Sequence, residues 1–313
     1  MNRYANAAAF KQAVEARLRA AASSGHDFER RRQLLVFERF LARLTLELGD
    51  SMILKGGLVV ELRVERARTT QDVDLRLTGS PTELLDRLHR AAELELGDFM
   101  IFTVTRDTEH PKITNEGMVY EGQRYRVVGA LAGKPYGHPF GLDVAFADPI
   151  FGDPDVIETA DTLAFAGIAP TRIPVYPLET HIAEKLHAYT IPRPRPNSRV
   201  KDLPDIALLA GVRGIAPTNL RAALDQTFLS RKTHPLPPSL PEPAASWAAP
   251  YARMAQQNEL PWADLVTLTR AVQAFLDPVL SGTAAAAWVP ATWRWGSGSA
   301  DAVPSPASNE KTG

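Results

Sequence analysis

Residues 52–57 are Met-Ile-Leu-Lys-Gly-Gly, and this short stretch predicts a buried strand that ends at a pair of glycines. The residues that follow, 58–64, have the apolar spacing of a short amphipathic helix. Glycine lets the backbone approach a ligand closely, and the N–H groups at the start of a helix can bind a phosphate. Lys55, Gly56 and Gly57 are therefore candidate phosphate-binding residues.

Residues 72–77, Asp-Val-Asp-Leu-Arg-Leu, alternate between polar and apolar side chains, as a half-buried strand does. Asp72 and Asp74 then lie on one face together with Arg76. Two neighbouring carboxylates repel each other unless a cation lies between them, and their hard oxygen atoms suit Mg²⁺. Taken alone, this stretch could also be a strand whose polar face is exposed to solvent. A phosphate cradle beside a carboxylate pair instead favours a site for a nucleoside triphosphate and a metal ion.

The glycine turn, the helix-length spacer and the Asp-x-Asp strand together resemble the nucleotidyltransferase superfamily. Residues 68–75, Arg-Thr-Thr-Gln-Asp-Val-Asp-Leu, make the sequence more similar to the AbiEii and MenT toxins of toxin–antitoxin systems. The resemblance spans roughly residues 50–210 and implies the polymerase-β-like nucleotidyltransferase fold. Lys55 and Arg68 are further candidates for balancing the charge of a bound triphosphate.

The composition limits the classes of function. The chain has 313 residues and a formal net charge of −1, so it lacks the overall basic field of dedicated nucleic-acid-binding proteins. Any contact with RNA must come from a local basic patch. The absence of cysteine excludes disulfides and thiolate metal sites. Charged side chains interrupt residues 1–22, which predicts neither a signal peptide nor a membrane span, and we expect a cytoplasmic protein.

Hydrophobic periodicity predicts two parts of different architecture. We expect an α/β (α+β) nucleotidyltransferase core with a mixed sheet and N-terminal helices over residues 1–150. A helical domain that completes the active-site cleft is expected over 151–295, and a disordered tail over 296–313. The predicted helices are 8–21, 32–48, 81–96 with Ser80 as its N-cap, 178–189, 203–210, 218–229 and 262–276. The further predicted strands are 99–104, 118–120, 125–131 and 140–146.

Asp143 lies in the middle of residues 140–146, Phe-Gly-Leu-Asp-Val-Ala-Phe, an otherwise apolar strand. A carboxylate there is costly unless it has a partner or the strand is an edge strand whose acid faces water. In the nucleotidyltransferase superfamily, a third carboxylate on a later strand completes the metal site. The resemblance therefore implies that Asp143 is a metal ligand with Asp72 and Asp74, and that it is the general base for the attacking hydroxyl.

Lys185 lies at the edge of the apolar arc of the helix predicted from residue 178. Its ammonium group must either extend to solvent along the helix surface or find an anionic partner. Residues 183–186, Ala-Glu-Lys-Leu, are similar to the AbiEii motif in which the lysine belongs to the active site. The resemblance thus favours a Lys185 that points into the cleft and binds triphosphate oxygens.

A basic connector follows this helix and contains four cations: Arg193, Arg195, Arg199 and Lys201. Such a connector can be a solvated loop, or it can contact phosphates. Asp202 can likewise be a helix N-cap, with Asp205 in the first turn. Residues 199–205 nevertheless match the AbiEii pattern Arg-x-Lys-Asp-x-x-Asp. That match implies that Asp205 is an active-site acid, with Asp202 as the next candidate.

The combined motifs predict an enzyme that moves a nucleoside monophosphate from an NTP to an acceptor hydroxyl and releases pyrophosphate. Mg²⁺, or alternatively Mn²⁺, is the expected cofactor. The resemblance implies a toxin restrained by a cognate antitoxin, with RNA, above all the 3′ end of tRNA, as the acceptor. A nucleotidyltransferase that modifies a small molecule such as an antibiotic, or a protein, is the alternative. An inactive binding module of the same fold is disfavoured by the presence of Asp72, Asp74 and Lys185.

Overall fold

The computed structural model describes residues 4–64, 67, 69–80, 82–108, 122–146, 149–193 and 199–296. The strand predicted at 118–120, Arg68, Arg195 and all but the first residue of the predicted tail lie outside the described residues. Within the part of the chain that is described, no helix is long and apolar enough to cross a membrane.

The elements follow one another in an order that alternates helices and strands first and becomes helical later. The helices are α1 (Ala7–Ala21), α2 (Gly25–Leu48), α3 (Gly56–Arg63), α4 (Leu84–Glu93), α5 (Leu178–Thr190), α6 (Asp202–Ala210), α7 (Pro217–Arg231), α8 (Ala248–Gln257) and α9 (Leu265–Leu280). The strands are β1 (Met52–Lys55), β2 (Asp72–Leu77), β3 (Met100–Arg106), β4 (Gly122–Leu131), β5 (Lys134–Pro135), β6 (Phe140–Phe146), β7 (Asp155–Glu158), β8 (Arg172–Val175), β9 (Trp288–Val289) and β10 (Arg294–Trp295).

One mixed sheet forms the centre of the first part, with the strand order β3-β4-β6-β2-β1-β8-β7 and with β5 paired to β4. β2 runs parallel to β6, and β1 runs parallel to β8. The other neighbouring strands are antiparallel. This mixed sheet, with helices packed against it, confirms the predicted fold class.

The first hydrophobic core lies between this sheet and helices α1, α2 and α4. Alternation along β2 decides which of its side chains enter the core. Val73, Leu75 and Leu77 are buried there, whereas Asp72 on the opposite face is exposed. The strand predicted from the polar–apolar pattern is therefore confirmed, and its polar face is the one left for the site.

A buried charge cluster fixes α2 against the start of β3. Asp98 is completely buried and accepts hydrogen bonds from Arg39 and Arg43 of α2 at distances between 2.6 and 2.9 Å. Breaking such a buried pair by removing one partner typically costs about 3–5 kcal/mol. The cluster therefore holds α2 in one orientation, and the N-terminal half of that helix lines the cleft described below.

The helices from α5 onward form a second hydrophobic core. α6 is buried along its whole length, with α5 and α9 packed against it. α3 joins the two cores, because Val60 packs with the second while Leu58 and Val59 pack with the first. The two cores divide near residue 176, later than the boundary at 150, because β7 and β8 belong to the main sheet.

Some elements differ from their predicted extents. α4 begins at Leu84 rather than at residue 81, and Ser80 is not its N-cap. The Ser80 hydroxyl instead accepts a hydrogen bond from the Thr82 N–H at 3.2 Å, which makes a separate turn before the helix. α8 was not predicted, although its two buried residues, Tyr251 and Ala255, lie one helical turn apart on the same face. β5, β7, β8, β9 and β10 were not predicted either, because strands of two to four residues carry too little alternation to detect. β1 is as short, but the glycine pair that follows it marks its end.

Candidate active site

The register of four neighbouring strands places four charged side chains in one row across the sheet. Arg124 on β4 is paired with Asp143 on β6. Asp143 is paired in turn with Asp74 on β2, and Asp74 with Lys55 at the end of β1. Cross-strand partners lie on the same face of a sheet, so two adjacent carboxylates are flanked by a cation on each side. Asp72, two residues before Asp74, lies on this face as well.

The carboxylates of this charged row repel one another. Burial and the neighbouring Asp143 raise the pKa of Asp74 to about 6, although Lys55 and Lys185 act in the opposite direction. Desolvation and Asp143 also raise the pKa of Asp72. Carboxylates in this situation are stabilised in their charged form by a cation placed among them. Oxygen donors of this kind suit a hard divalent cation such as Mg²⁺.

Two glycines create the space that these carboxylates occupy. Gly56 has a φ of +72°, and a Cβ atom there would lie only 1.9 Å from Oδ2 of Asp74. Gly56 is therefore required both by its left-handed backbone and by the close approach of the carboxylate. Gly141 is the β6 partner of Asp72, and a Cβ atom there would lie 2.6 Å from Oδ1 of Asp72. Sequence reasoning missed Gly141, although its position two residues before Asp143 on a strand is the signal for it.

Gly56 and Gly57 form the start of α3, as the sequence predicts. In the described structure no side chain caps the first turn of this helix. Its backbone N–H groups thus begin beside the Asp74 carboxylate without a side-chain acceptor. This arrangement can bind an anionic group such as a phosphate next to a carboxylate-bound cation.

Asp143 is held by a two-pronged contact with Arg124. Arg124 Nε donates to Oδ1 of Asp143 at 2.7 Å, and Nη2 donates to Oδ2 at 2.6 Å. The hydrogen bonds that Asp143 accepts raise the pKa of Arg124 further above its usual value, so the guanidinium stays charged. Sequence reasoning missed Arg124, because its cross-strand partner is fixed only by the register of β4 against β6. Asp143 is thus a partnered acid and not a carboxylate that merely faces water.

The residues present fit a divalent cation at Asp72 and Asp74, whose charges repel and whose oxygens are hard donors. Among the described residues, however, no group of three or more His, Asp or Glu side chains is arranged to hold a metal ion. The Arg124 contact gives the physical reason, because both oxygens of Asp143 already face a guanidinium. The part of Asp143 as a third metal ligand stays a prediction.

Lys185 finds anionic partners and does not extend to solvent. Its Nζ lies 2.7 Å from Oδ2 of Asp205 and 3.5 Å from Oδ1 of Asp202, and only 13% of its side chain is exposed. Asp205 is completely buried, and Asp202 is nearly so. Asp202 is the first residue of α6, and the N-cap position belongs to Lys201. The carboxylates of α6 therefore hold Lys185 in place, and Lys185 is close enough to Asp74 to lower its pKa.

Lys55 is held on the same side of the site by Glu184. Its Nζ lies 3.6 Å from Oε1 of Glu184 and 5.3 Å from the ring centre of Tyr176. Arg231 of α7 also donates to Oε1 of Glu184, at 2.5 Å. Sequence reasoning missed Glu184, although its place directly before Lys185 in the motif is the signal for it. The carboxylate of Glu184 thus orients Lys55 from the α/β part and Arg231 from the helical part.

His181 lies one helical turn before Lys185 and is completely buried. Neither of its ring nitrogens has a hydrogen-bond partner among the described residues. Burial and the charge of Lys185 lower the pKa of His181 well below its usual value, so the ring is neutral. A buried neutral ring of this kind can share its polar atoms with an internal water molecule.

The basic connector reaches the site with its C-terminal end. Lys201 is exposed and close enough to Asp72 to lower the pKa of that carboxyl. Arg199 lies farther back, with Nε 3.9 Å from Oδ2 of Asp202. The connector therefore adds at least one cation beside the carboxylates.

The segment before β2 is anchored from both parts of the molecule. The buried carboxylate of Glu61 accepts hydrogen bonds from the Thr70 N–H at 3.0 Å and from Arg30 Nε at 2.8 Å. The Thr69 N–H donates to Oδ1 of Asn258, just after α8, at 3.1 Å. These contacts fix the start of β2, where the first of the carboxylates lies.

A cleft of about 990 Å³ opens on the Asp72 side of the charged row. Its walls are the N-terminal half of α2, the segment before β2, the end of β3, the start of β4 and residues 138–141. Asp72, Arg124 and Gly141 belong to its lining, whereas Lys185 does not. This cleft is therefore built by the α/β part, and Lys185 of α5 approaches the carboxylates from another side.

Known proteins resemble this chain in sequence profile and in fold. The profile described as nucleotidyl transferase AbiEii toxin, type IV toxin–antitoxin system, matches residues 39–288. The fold is similar to that of MenT4, a nucleotidyltransferase toxin from Mycobacterium tuberculosis H37Rv, with a TM-score of 0.51, 15% identity and coverage of 87% of this chain and 98% of that chain. JHP933 from Helicobacter pylori matches with a TM-score of 0.45 and 17% identity over 80% of this chain and 93% of that chain. No curated protein matches the sequence at a significant level.

Proposed function

The chain belongs to the AbiEii family of nucleotidyltransferase toxins, and we propose that it transfers a nucleoside monophosphate from an NTP to the 3′ end of an RNA acceptor. A tRNA is the first acceptor to test. The family itself implies a nucleotidyltransferase with an NTP substrate and an antitoxin partner. The proposal adds the RNA acceptor and the dependence on Mg²⁺ or Mn²⁺.

The charged row Arg124–Asp143–Asp74–Lys55 carries this proposal. It combines two adjacent carboxylates, which need a cation, with cations at both ends, which need anions. A nucleoside triphosphate with a divalent ion satisfies both requirements at once. The additional carboxylate of Asp72 and the uncapped start of α3 lie beside the same row and suit the same ligand.

Asp72 and Asp74 would hold the divalent cation, and a cation held there neutralises negative charge that develops on the transferred phosphoryl group. Lys55, Lys185 and Lys201 supply positive charge around these carboxylates. We assign Lys55 and Lys185 to the triphosphate oxygens. The backbone N–H groups from Gly56 and Gly57 serve the same oxygens.

Asp205 and Asp202 act in this proposal as positioning residues. Both are buried and face the ammonium group of Lys185, so neither is exposed to a substrate. A lysine held at 2.7 Å by a buried carboxylate keeps one geometry. They affect the reaction by holding Lys185 in position.

In the transfer step, the acceptor hydroxyl oxygen attacks the α-phosphorus of the NTP. A new oxygen–phosphorus bond forms as the bond from the α-phosphorus to the α,β-bridging oxygen breaks, and pyrophosphate leaves with that electron pair. Asp143 takes the hydroxyl proton, provided that the hydroxyl comes within hydrogen-bond reach. Each carboxylate oxygen has a lone pair left after one hydrogen bond, so the Arg124 contact does not exhaust its capacity to accept.

The test is to incubate the protein with each of the four NTPs, labelled at the α-phosphate, together with total RNA and purified tRNA. We expect one or more NTPs to label RNA in the presence of Mg²⁺ or Mn²⁺. Asp72→Ala and Asp74→Ala should abolish the labelling while the proteins stay folded. Asp225→Ala removes a surface carboxylate of α7 and serves as the matched control.

Three outcomes would change the proposal in different ways. If Asp72→Ala labels RNA as efficiently as the wild type, the proposed carboxylate site is wrong. Efficient labelling of an aminoglycoside-like small molecule or of a protein, with no labelled RNA, would replace the acceptor and keep the chemistry. Labelling that persists after complete removal of divalent ions would contradict the proposed dependence on a metal ion.

A further inference from the structure

The cleft beside Asp72 contains arginines that the proposed triphosphate site does not use. Arg106 at the end of β3 and Arg126 on β4 are both exposed and line the cleft. Among the described residues, neither side chain forms an ion pair or a hydrogen bond, whereas Arg30 and Arg124 of the same cleft are paired with acids. Two exposed cations without partners in the same cleft are available for an anionic ligand.

The register of the sheet relates these arginines to the carboxylates. Arg126 is the cross-strand partner of Gly141, and Gly141 is the partner of Asp72. Neighbouring strands lie about 4.8 Å apart, so Arg126 and Asp72 are separated by two strand spacings, or roughly 10 Å. Gly141 carries no side chain into that interval. The Asp72 carboxylate itself lies over Gly141, so the β6 residue between Asp72 and Arg126 places no side chain between them.

Arg106 approaches the same cleft from the end of β3. It is the cross-strand partner of Tyr125, so its side chain starts from the face of the sheet opposite to that of Arg126. As the last residue of its strand, it nevertheless belongs to the lining of the cleft together with Arg126. A ligand that reaches from the carboxylates into this cleft therefore meets both cations, and two cations in one cleft suit a chain of phosphates.

We propose that this cleft receives the 3′-terminal nucleotides of a single-stranded acceptor, with Arg126 and Arg106 bound to the phosphates that precede the reacting hydroxyl. The inference rests on the proposed function and assigns a surface to its acceptor. The terminal hydroxyl lies beside Asp72 and Asp143, and the strand runs outward over Gly141. The NTP occupies the opposite end of the charged row, beside Lys55.

Two other occupants fit the cleft less well. A polycationic antibiotic would be repelled by the unpaired arginines. An acidic peptide of an antitoxin would be attracted, but peptide recognition usually relies on apolar pockets or on a free strand edge. The volume of about 990 Å³ lies at the top of the range of roughly 300–1,000 Å³ for small-ligand sites, and it suits the end of a longer chain.

The test compares binding of a short fluorescent RNA with a single-stranded 3′ end to the full-length protein, with Ca²⁺ in place of Mg²⁺ so that no transfer occurs. Arg106→Ala/Arg126→Ala should weaken RNA binding by on the order of tenfold or more. The slope of log affinity against log salt should fall by about 0.7 for each phosphate that the variant no longer binds. Arg106→Lys/Arg126→Lys keeps the charges and should retain most of the slope.

Arg253→Ala/Arg270→Ala removes two exposed arginines from α8 and α9 and is the matched control. Binding of NTP, followed by thermal shift, should be unchanged in the cleft variant, because the triphosphate cations lie elsewhere. A 4-thiouridine at the 3′ terminus of the RNA should crosslink to β4 or to residues 138–141. All of these substitutions are at exposed positions, so melting temperatures should stay close to that of the wild type.

Several results would overturn the assignment. One is a cleft variant that keeps the wild-type RNA affinity and salt slope. Another is crosslinking confined to the connector from Arg193 to Lys201. A third is poly-glutamate that competes as strongly as RNA at the same salt concentration, which would make the cleft a peptide site. Failure of the proposed function looks different, since the wild-type protein would then label no RNA at all.

Discussion

Gly56→Ala should show how far stability and transfer depend on the left-handed backbone at residue 56 and on the position of the Asp74 carboxylate. Gly56 has a φ of +72°, a region that costs an L-residue about 1–2 kcal/mol. The added Cβ would also lie 1.9 Å from Oδ2 of Asp74, which must retreat by about 1.5 Å to reach an ordinary contact of 3.4 Å. Turning Asp74 off its rotamer adds roughly 0.5–1.5 kcal/mol, so we expect the free energy of unfolding to fall by about 1.5–3.5 kcal/mol in total.

Gly133→Ala is the matched control, because Gly133 has the same φ of +72° and nothing within 4 Å of its Cβ position. It should lose only the backbone contribution of about 1–2 kcal/mol and keep its activity. A misplacement of about 1 Å can cost a factor of a hundred in rate, so Gly56→Ala should transfer nucleotide at least about a hundredfold more slowly than Gly133→Ala.

Urea unfolding measures the stability of both variants, and incorporation of labelled nucleotide into the acceptor measures transfer. Activity is compared at a temperature where each variant is fully folded, so that a loss of folded protein is not mistaken for a loss of rate. If Gly56→Ala transfers nucleotide as fast as Gly133→Ala, the position of the Asp74 carboxylate does not depend on having a glycine at residue 56.

Further predictions concern charged side chains of the site and one buried carboxyl group of α2. Lys185→Ala should lower the unfolding free energy by about 3–5 kcal/mol, since it leaves the buried Asp205 carboxylate without its cation; Lys185→Ala/Asp205→Asn should regain much of this stability in urea titrations without regaining transfer. Arg124→Ala should tighten Mn²⁺ binding severalfold in electron paramagnetic resonance titrations, because Asp143 loses a competing cation; equal affinities in Arg124→Ala and the neighbouring Arg126→Ala would contradict this. Burial raises the pKa of Glu38 to about 7 from 4.5, so its contribution to stability is present below pH 4.5 and is lost as pH rises through 7. Glu38→Gln should remove this decline, which amounts to roughly 3 kcal/mol, and identical pH profiles of unfolding would refute it.

Local patterns in the sequence were sufficient for the parts of the site that depend on a single element. The glycine pair after β1 and the alternation of β2 each lie within a few residues, and both are confirmed in the structure. The periodicity around Lys185 correctly placed it at the edge of the buried face of α5. The fold class followed from the order of such elements, since α/β alternation gives way to helices alone.

The tertiary structure decided the relations between distant elements. Nothing local specifies that β6 pairs in parallel with β2, and this pairing alone puts Asp143 opposite Asp74. The same long-range register brings Arg124 to Asp143. A shift of one residue would turn each of these side chains to the other face, so the register depends on the packing of the whole sheet against its core.

Only the tertiary structure decided between the alternative roles of the charged residues Lys185 and Asp202. From the sequence, Lys185 could reach solvent and Asp202 could cap a helix, because a helical wheel shows a direction but not a neighbour. Packing of α5 against α6 buried both acids of α6 and set Lys185 between them, at 2.7 Å from Asp205. A buried charge persists only with a partner, and partners separated by about twenty residues meet only when the chain is folded.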